Sequence, residues 1–395
     1  MMTLKPSRGF VSLSFCLGAF STQIAANPEI DFHGEIQVDQ RNFLQPKNTE
    51  LEGAVNRIQN SLMLEAEWLW QNDGHIVNFK PFVRIDSHDS KRTHADIREL
   101  QWLHYWQDYE ISVGIGRVFW GVTESTHLVD VINQTDGVEG LDGEDKLGQP
   151  MLRFKTVKDW GTLDSYLLPY FRERTFANKV SRLSLLFDLD SNVRYESSRR
   201  EHHFDYALRY SNSVETWDFA LSYFKGTNRD PEFMPLQNSV VPFYTQMQQI
   251  GLELQNVSGD WLWKLEARYR NSIRSESAAT AGFEYTQVGV FDSVYDLGWI
   301  TEYSYDNQDV ALNQNDIFIG WRLALNDANG SEILFGISQD LDKSEQAIKL
   351  EASGRLGERW KWQIEGWAFS TNNVESPLYV LESDDFIALS ISYFF

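Results

Sequence analysis

The sequence predicts an all-β fold, a transmembrane antiparallel up-and-down barrel of about eighteen strands, and three observations carry that prediction. Mean hydropathy is −0.41 although aromatic residues make up 14% of the chain. Period-two alternation recurs in segments near the roughly ten residues that a tilted membrane strand requires. The chain ends on Asp385-Phe-Ile-Ala-Leu-Ser-Ile-Ser-Tyr-Phe-Phe395, where Ile387, Leu389, Ile391, Tyr393 and Phe395 are apolar at alternate positions. A barrel reconciles the three, because only every second wall residue meets lipid and mean hydropathy can stay below zero.

Residues 1–26 read as a secretory signal peptide. Lys5 and Arg8 precede the apolar run 10–20, Ser21-Thr-Gln23 ends it short of a membrane span, and Ala25-Ala26 supply small residues for cleavage. Leu13-Ser-Phe-Cys16 departs from a lipoprotein site at the bulky Phe15. Cys16 is the only cysteine, so cleavage excludes disulfides and thiol chemistry from the mature chain. Loss of Lys5 and Arg8 takes the formal net charge from −22 to −24, which argues against nucleic acid as a partner.

Alternating segments then follow near 31–41, 57–70, 76–86, 95–107, 109–119, 150–157, 161–171, 202–211 and 215–224. The rest lie near 246–257, 260–270, 281–292, 296–306, 315–326, 331–340, 345–356, 360–370 and 384–395. The apolar phase is plain in Trp217/Phe219/Leu221/Tyr223, in Trp261/Trp263/Leu265/Ala267/Tyr269 and in Ile317/Ile319/Trp321/Leu323/Leu325. Charged residues fill the other phase, as Lys264, Glu266, Arg268 and Arg270 do, so the two faces imply lipid outside and water inside.

Connection lengths check the count. Every second connection is short: 71–75, 107–108, 158–160, 212–214, 258–259, 293–295, 327–330 and 357–359. The others are longer, at 42–56, 87–94, 120–149, 172–201, 225–245, 271–280, 307–314 and 371–383, with 341–344 the exception. Short turns belong to the periplasmic end, so the strand number is even and both termini lie there. Sixteen strands stays open, since 57–70, 109–119 and the loop 172–201 alternate least clearly.

A soluble sandwich or propeller would also alternate. It would have little reason to gather Trp68, Trp70, Trp102, Trp106, Trp160, Trp217, Trp261, Trp299, Trp360 and Tyr393 near strand ends, where a membrane wall keeps interfacial girdles. With no linker or low-complexity tract, residues 27–395 read as one barrel domain.

Signal peptide, alternating strands, short and long connections in turn, and a terminal Phe395 preceded by Tyr393 together resemble a Gram-negative outer-membrane porin-type β-barrel across the mature chain. The resemblance implies that Tyr393 and Phe395 form the signal read by the barrel assembly machinery. It further implies outer-membrane lipid and lipopolysaccharide as surroundings, a small-molecule solute as cargo, and room for a homo-oligomer.

Gly114-Ile-Gly-Arg-Val-Phe-Trp-Gly121, then Leu128-Val-Asp-Val-Ile-Asn-Gln-Thr-Asp136, is similar to a phrase of large porin-like barrels, with Gln134 where a proline is usual. In such proteins the long loop after this strand folds into the lumen and narrows it; the bland reading is that Gly116 and Gly121 merely permit a bulge and a turn. Loop 120–149 carries Glu124, Asp130, Asp136, Glu139, Asp142, Glu144 and Asp145 against Lys146. The predicted inner face offers Lys80, Arg84, Arg153, Lys155, Arg209, Lys264, Arg268, Arg322, Lys349 and Arg355. An acidic loop opposite a basic ladder implies a transverse field across a constriction. Asp205, Asp218, Glu253, Glu266, Glu284, Glu302, Glu351 and Glu365 share that face, so pairing is the alternative, and the overall negative balance tilts preference toward cations. The inner-phase aromatics Phe82, Tyr166, Tyr170, Trp367 and Phe369 would suit sugars or aromatic acids, or simply pack.

Catalysis and metals find little support. Ser125, His127 and Asp130 are close in sequence, but a triad is defined by spatial roles. His202 and His203 adjoin on a strand and so point to opposite faces. No phosphate loop, dinucleotide fingerprint or zinc spacing occurs, and no plug precedes the strands as a TonB-dependent transporter requires. The expectation is a channel without enzymatic activity, cofactor or metal, through which small hydrophilic solutes diffuse. The alternative is a non-transport barrel, for adhesion or scaffolding, or the outer pore of an export system.

Overall fold

Along Glu29–Phe43, Ile30, Phe32, Ile36 and Val38 are exposed while Asp39, Arg41 and Phe43 are buried. The apolar phase faces outward and the polar phase inward, as a wall in lipid requires. The computed structural model describes residues 28–46, 56–179, 181–185, 187–237, 239–308, 314–374 and 376–395, so the expected signal peptide and its expected cleavage site lie outside the described residues.

In chain order the strands are β1 (Glu29–Phe43), β2 (Ile58–Asn72), β3 (His75–Asp86), β4 (His94–Trp106), β5 (Tyr109–Gly116), β6 (Gln149–Lys158) and β7 (Gly161–Leu168). Then come β8 (Arg194–Tyr195), β9 (Asp205–Val214), β10 (Trp217–Thr227), β11 (Glu232–Pro235), β12 (Val240–Tyr244), β13 (Gln246–Ser258) and β14 (Trp261–Asn271). The last are β15 (Ser275–Val290), β16 (Tyr295–Asp306), β17 (Asn315–Ala324), β18 (Glu332–Asp340), β19 (Glu345–Leu356), β20 (Trp360–Thr371) and β21 (Phe386–Phe394). Strands β8, β11 and β12 form a small sheet within the connections, and the other eighteen make the wall. Each wall strand pairs antiparallel with the next, and β21 returns to β1 from Glu35↔Phe394 to Phe43↔Phe386. The sheet is a closed ring without edges.

Trp68, Trp102, Trp106, Trp160, Trp217, Trp261, Trp299 and Trp360 are exposed at the short-turn end, and Tyr206, Tyr269, Tyr303 and Tyr305 at the other. Two aromatic girdles therefore bound the outer apolar band. No helix among the described residues is long and apolar enough to cross a membrane.

All eighteen expected segments coincide with wall strands, but several boundaries move. The stretch expected at 202–211 begins only at Asp205, after a 3-10 turn at Arg200–His202, and runs on to Val214, with Glu215 taking the left-handed turn position. The long connection expected at 271–280 is three residues, because β15 already starts at Ser275. Ser275, Ser277, Ala279 and Ala281 occupy its outer phase, and small side chains leave no apolar signal to read. Strand β5 stops at Gly116 rather than running to 119, and β7 stops at Leu168 rather than at 171.

Candidate functional site

Asn133 sets the root of the segment between β5 and β6. Its side chain accepts from the Val118 amide at 2.9 Å and donates to the carbonyls of Gly116 and Leu147, both at 2.9 Å. One buried amide thus ties the outgoing and returning strands together. Gln134, at the position where the resembling families carry proline, is also buried and caps the next backbone N–H.

From that root the segment packs on the inner wall by three kinds of contact. Trp120, Val129, Val131 and Ile132 form an apolar core with Met151, Tyr166, Leu168, Ala207, Phe224 and Met247, inward residues of β6, β7, β9, β10 and β13. Trp120 meets Tyr166 edge-on at 5.8 Å. The apolar stretch that water would disfavour is therefore buried against the wall, at about 2 kcal/mol for each of the three aliphatic side chains.

Two wall carboxylates supply the second kind. Glu266 of β14 accepts from the Val122 amide at 2.7 Å, the Thr123 amide at 3.0 Å, the Thr123 hydroxyl at 2.7 Å and the Leu128 amide at 2.8 Å. Glu302 of β16 accepts from the amides of Glu124 and Ser125, each at 2.8 Å, and from the Ser125 hydroxyl at 2.7 Å. Glu266 is 0% and Glu302 1% exposed, so these donors stand in for the water both carboxylates give up. Gly121, with φ of +146°, makes the approach feasible: a Cβ there would sit 2.9 Å from Glu266 Oε1.

Ion pairs are the third kind. Glu124 meets Arg322 at 2.9 Å, Asp142 meets Lys349 at 3.1 Å, Glu139 meets Arg84 at 2.8 Å and Asp136 meets Arg98 at 2.7 Å. Acidic segment and basic wall meet in contact pairs rather than across open lumen. Asp130 instead pairs with Lys146 of its own segment at 3.1 Å, Glu144 approaches His127 at 3.7 Å, and Asp145 is exposed beside them. Burial alone would raise the Glu139 carboxyl, but the His94 hydrogen bond and the charges of Arg84, Arg92 and Arg98 hold it down to about 2. Burial raises Asp130 despite Lys146.

The remaining expected basic residues all lie on the inner phase. Lys80 pairs with Glu65, Arg153 with Asp164 and Glu110, Arg209 with Glu253, Lys264 with Glu284, and Arg268 with Asp306. Lys155 stands opposite Asp164 in register, and Arg355 is exposed near the short-turn end. Of the inner aromatics, Phe82, Tyr166 and Phe369 are buried, Phe82 beneath Arg98 at 4.1 Å, so they pack rather than line an open path. Tyr393 stacks with Phe395 at the seam.

Sequence reading passed over Arg41, Arg92 and Arg98, which close the cluster around Glu139. Arg41 donates to the Glu139 carbonyl at 2.8 Å and Arg92 to the Val138 carbonyl at 3.1 Å. Arg98 turns inward because a bulge opposite Lys80/Pro81 gives β4 an extra inner residue beside Glu99, a departure from period two that alternation cannot reveal.

A polar cavity of about 480 Å³ remains on the short-turn side of the segment, lined in part by Gly121, Thr162, Arg209, Ser211, Asp218 and Glu253. At the opposite mouth the β7–β9 connection reaches across to β1 and β21. Arg182 donates to Asp384 at 2.7 Å and to the carbonyls of Ser383 and Gln45, with its guanidinium 4.4 Å from the Phe43 ring.

The chemically suggestive groups are engaged elsewhere. The Ser125 hydroxyl serves Glu302, His127 faces Glu144 and Glu266, and Asp130 holds Lys146. His202 lies in the 3-10 turn rather than on a strand, and His203 bonds Asp205 at 2.9 Å. His94, Asp136 and Glu139 bring ligand atoms within 4.8 Å of one another, but Arg84 and Arg98 already occupy the carboxylates and would repel a cation.

No family model matches the chain, and no curated relative does. Among solved structures it is similar to OccAB3 of Acinetobacter baumannii, with a TM-score of 0.55 at 10% identity over 92% of this chain and 99% of that one. OccK8 (OprE) of Pseudomonas aeruginosa gives 0.53 at 10% identity, over 93% of this chain and 98% of that one. A BenF-like porin from Pseudomonas fluorescens Pf-5 gives 0.51 at 11% identity, over 93% and 98%. At this identity the likeness establishes the fold, that of outer-membrane porin barrels.

Proposed function

We propose that this barrel is a porin-type channel of a Gram-negative outer membrane, in which small hydrophilic solutes diffuse past the segment 120–148. The observation that carries the reading is the pair of buried wall carboxylates, Glu266 and Glu302, whose acceptors are spent on the amides of residues 122–125. A wall built only for adhesion has no need to clamp a polar segment across its own lumen. The signal peptide is removed after Ala26, Tyr393 and Phe395 address the chain to the barrel assembly machinery, and the outer girdles meet lipid and lipopolysaccharide. With most inner bases paired, the net charge, −22 for the whole chain and −24 without Lys5 and Arg8, favours cations mildly over anions.

Liposome swelling with a graded series of neutral sugars tests the reading. Swelling that falls off with solute size supports it, and no swelling with the smallest sugar sinks it. The ties that Arg182 makes from the β7–β9 connection to Ser383 and Asp384 favour a second reading, a barrel with a scaffold role, and that same null result would support it.

A further inference from the structure

On the outer face, beside the Asp73-Gly74 turn, His75 of β3 and His104 of β4 are direct cross-strand partners. Their rings stack with centroids 4.1 Å apart at 20°. Trp102 lies 5.8 Å from His75 and 6.2 Å from His104, and Trp106 lies 5.5 Å from His104, all nearly parallel. The rings occupy the girdle at the short-turn end, in a phase that on neighbouring strands holds Trp, Leu or Phe.

One imidazole in a girdle is an aromatic ring with a polar tip. Two in direct register are also a chelate, because cross-strand Cβ atoms stand only about 4.5–5.5 Å apart. His104 Nδ1 is 3.0 Å from the Gly74 carbonyl, so in the neutral ring Nδ1 carries the hydrogen and Nε2 keeps its lone pair. An imidazole whose second nitrogen donates to a backbone carbonyl is the usual arrangement of a metal-bound histidine. Gly74 presents that carbonyl from a left-handed turn with φ of +76°.

We propose that His75 and His104 form a binding site for a divalent d-block cation of the Cu2+ or Zn2+ class, at the periplasmic lip of the outer wall. Imidazole suits these ions, and nitrogen reaches them at about 2.0–2.1 Å. A rotation of the rings out of the stack brings two nitrogens onto one ion, with water completing the shell. The flanking indoles shield one side and limit the ring orientations available.

The full chain, refolded in detergent, can be titrated with Cu2+ while tryptophan emission and the electron paramagnetic resonance spectrum are followed. The expected result is one ion per chain, hyperfine structure from two imidazole nitrogens, and partial quenching that EDTA reverses. His75→Phe and His104→Phe, which keep a ring in the stack, each abolish both signals, whereas His88→Phe in the β3–β4 loop keeps them. Quenching unchanged in His104→Phe, or a spectrum from a single nitrogen in the unaltered chain, overturns the proposal. Heat-modifiable migration confirms barrel formation in every variant, and a folded Phe variant at either position suffices for the comparison. The pair faces away from the lumen, so a failed swelling assay leaves this test intact.

Discussion

Phe395 occupies the space that a side chain on residue 34 would need. Gly34 and Phe395 exchange backbone hydrogen bonds of 2.8 and 3.0 Å, and a Cβ on Gly34 would lie 2.3 Å from the Phe395 ring. The ring also rests 5.9 Å from Phe32. Gly34→Val is therefore expected to destabilise the seam by about 1–3 kcal/mol through overpacking. Urea unfolding of the refolded barrel would measure it, and Gly34→Val with Phe395→Ala should recover part of the loss.

Glu266→Ala removes the acceptor of five loop donors and leaves the amides of Val122, Thr123, Leu128 and Val129 unsatisfied. Each orphaned donor costs about 1–3 kcal/mol, so the tip of the segment should detach. Single-channel conductance in planar bilayers is expected to rise and become noisier, with Glu266→Gln intermediate. Conductance identical to the unaltered chain would refute the clamp.

Acid should release the other end of the segment. The Glu139 carboxyl is held at about 2 in the folded chain against an ordinary value of 4.5. Its ionised form is favoured by folding, so the contribution, about 3 kcal/mol at most, is present above pH 4.5 and lost as pH falls toward 2. Proteolysis of the segment is expected to increase as pH falls below about 4. Glu139→Gln should show the acid-state susceptibility already at pH 7.

Phe291 sits in the β15–β16 turn with φ of +59° and 82% exposure, followed by Asp292 at +55°. A phenylalanine gains nothing from the left-handed region that glycine would not have without strain. Phe291→Gly is expected to stabilise the barrel by up to about 1 kcal/mol, seen as a later midpoint in guanidinium.

Much of this fold is legible because the wall repeats one rule. The alternation of Trp261, Trp263 and Leu265 with Lys264 and Glu266 places β14 and both its faces without further information. The rule fails where small side chains hide the phase, as at Ser275–Ala281, and where a bulge adds an inner residue, as at Arg98. The site is less legible. Glu266 and Glu302 look like partners for bases, yet they serve backbone amides, and amides carry no sequence signature. Asn133, by contrast, stood within the phrase Ile-Asn-Gln-Thr-Asp that marked the segment, and its three hydrogen bonds give that phrase a mechanical reason.

The segment 120–148 is joined to wall that is made long after it. Val122 and Glu266 are 144 residues apart, and Asp142 and Lys349 are 207. Hairpins can zip locally as the chain is delivered, but these contacts wait for strands β14 to β19, and closing such spans delays folding well beyond what neighbouring strands require. The interior is thus finished by later strands around one of the oldest loops. A chain halted before β14 would hold that loop by its core and its Arg84 and Arg98 pairs while its tip, residues 122–125, waited for Glu266 and Glu302.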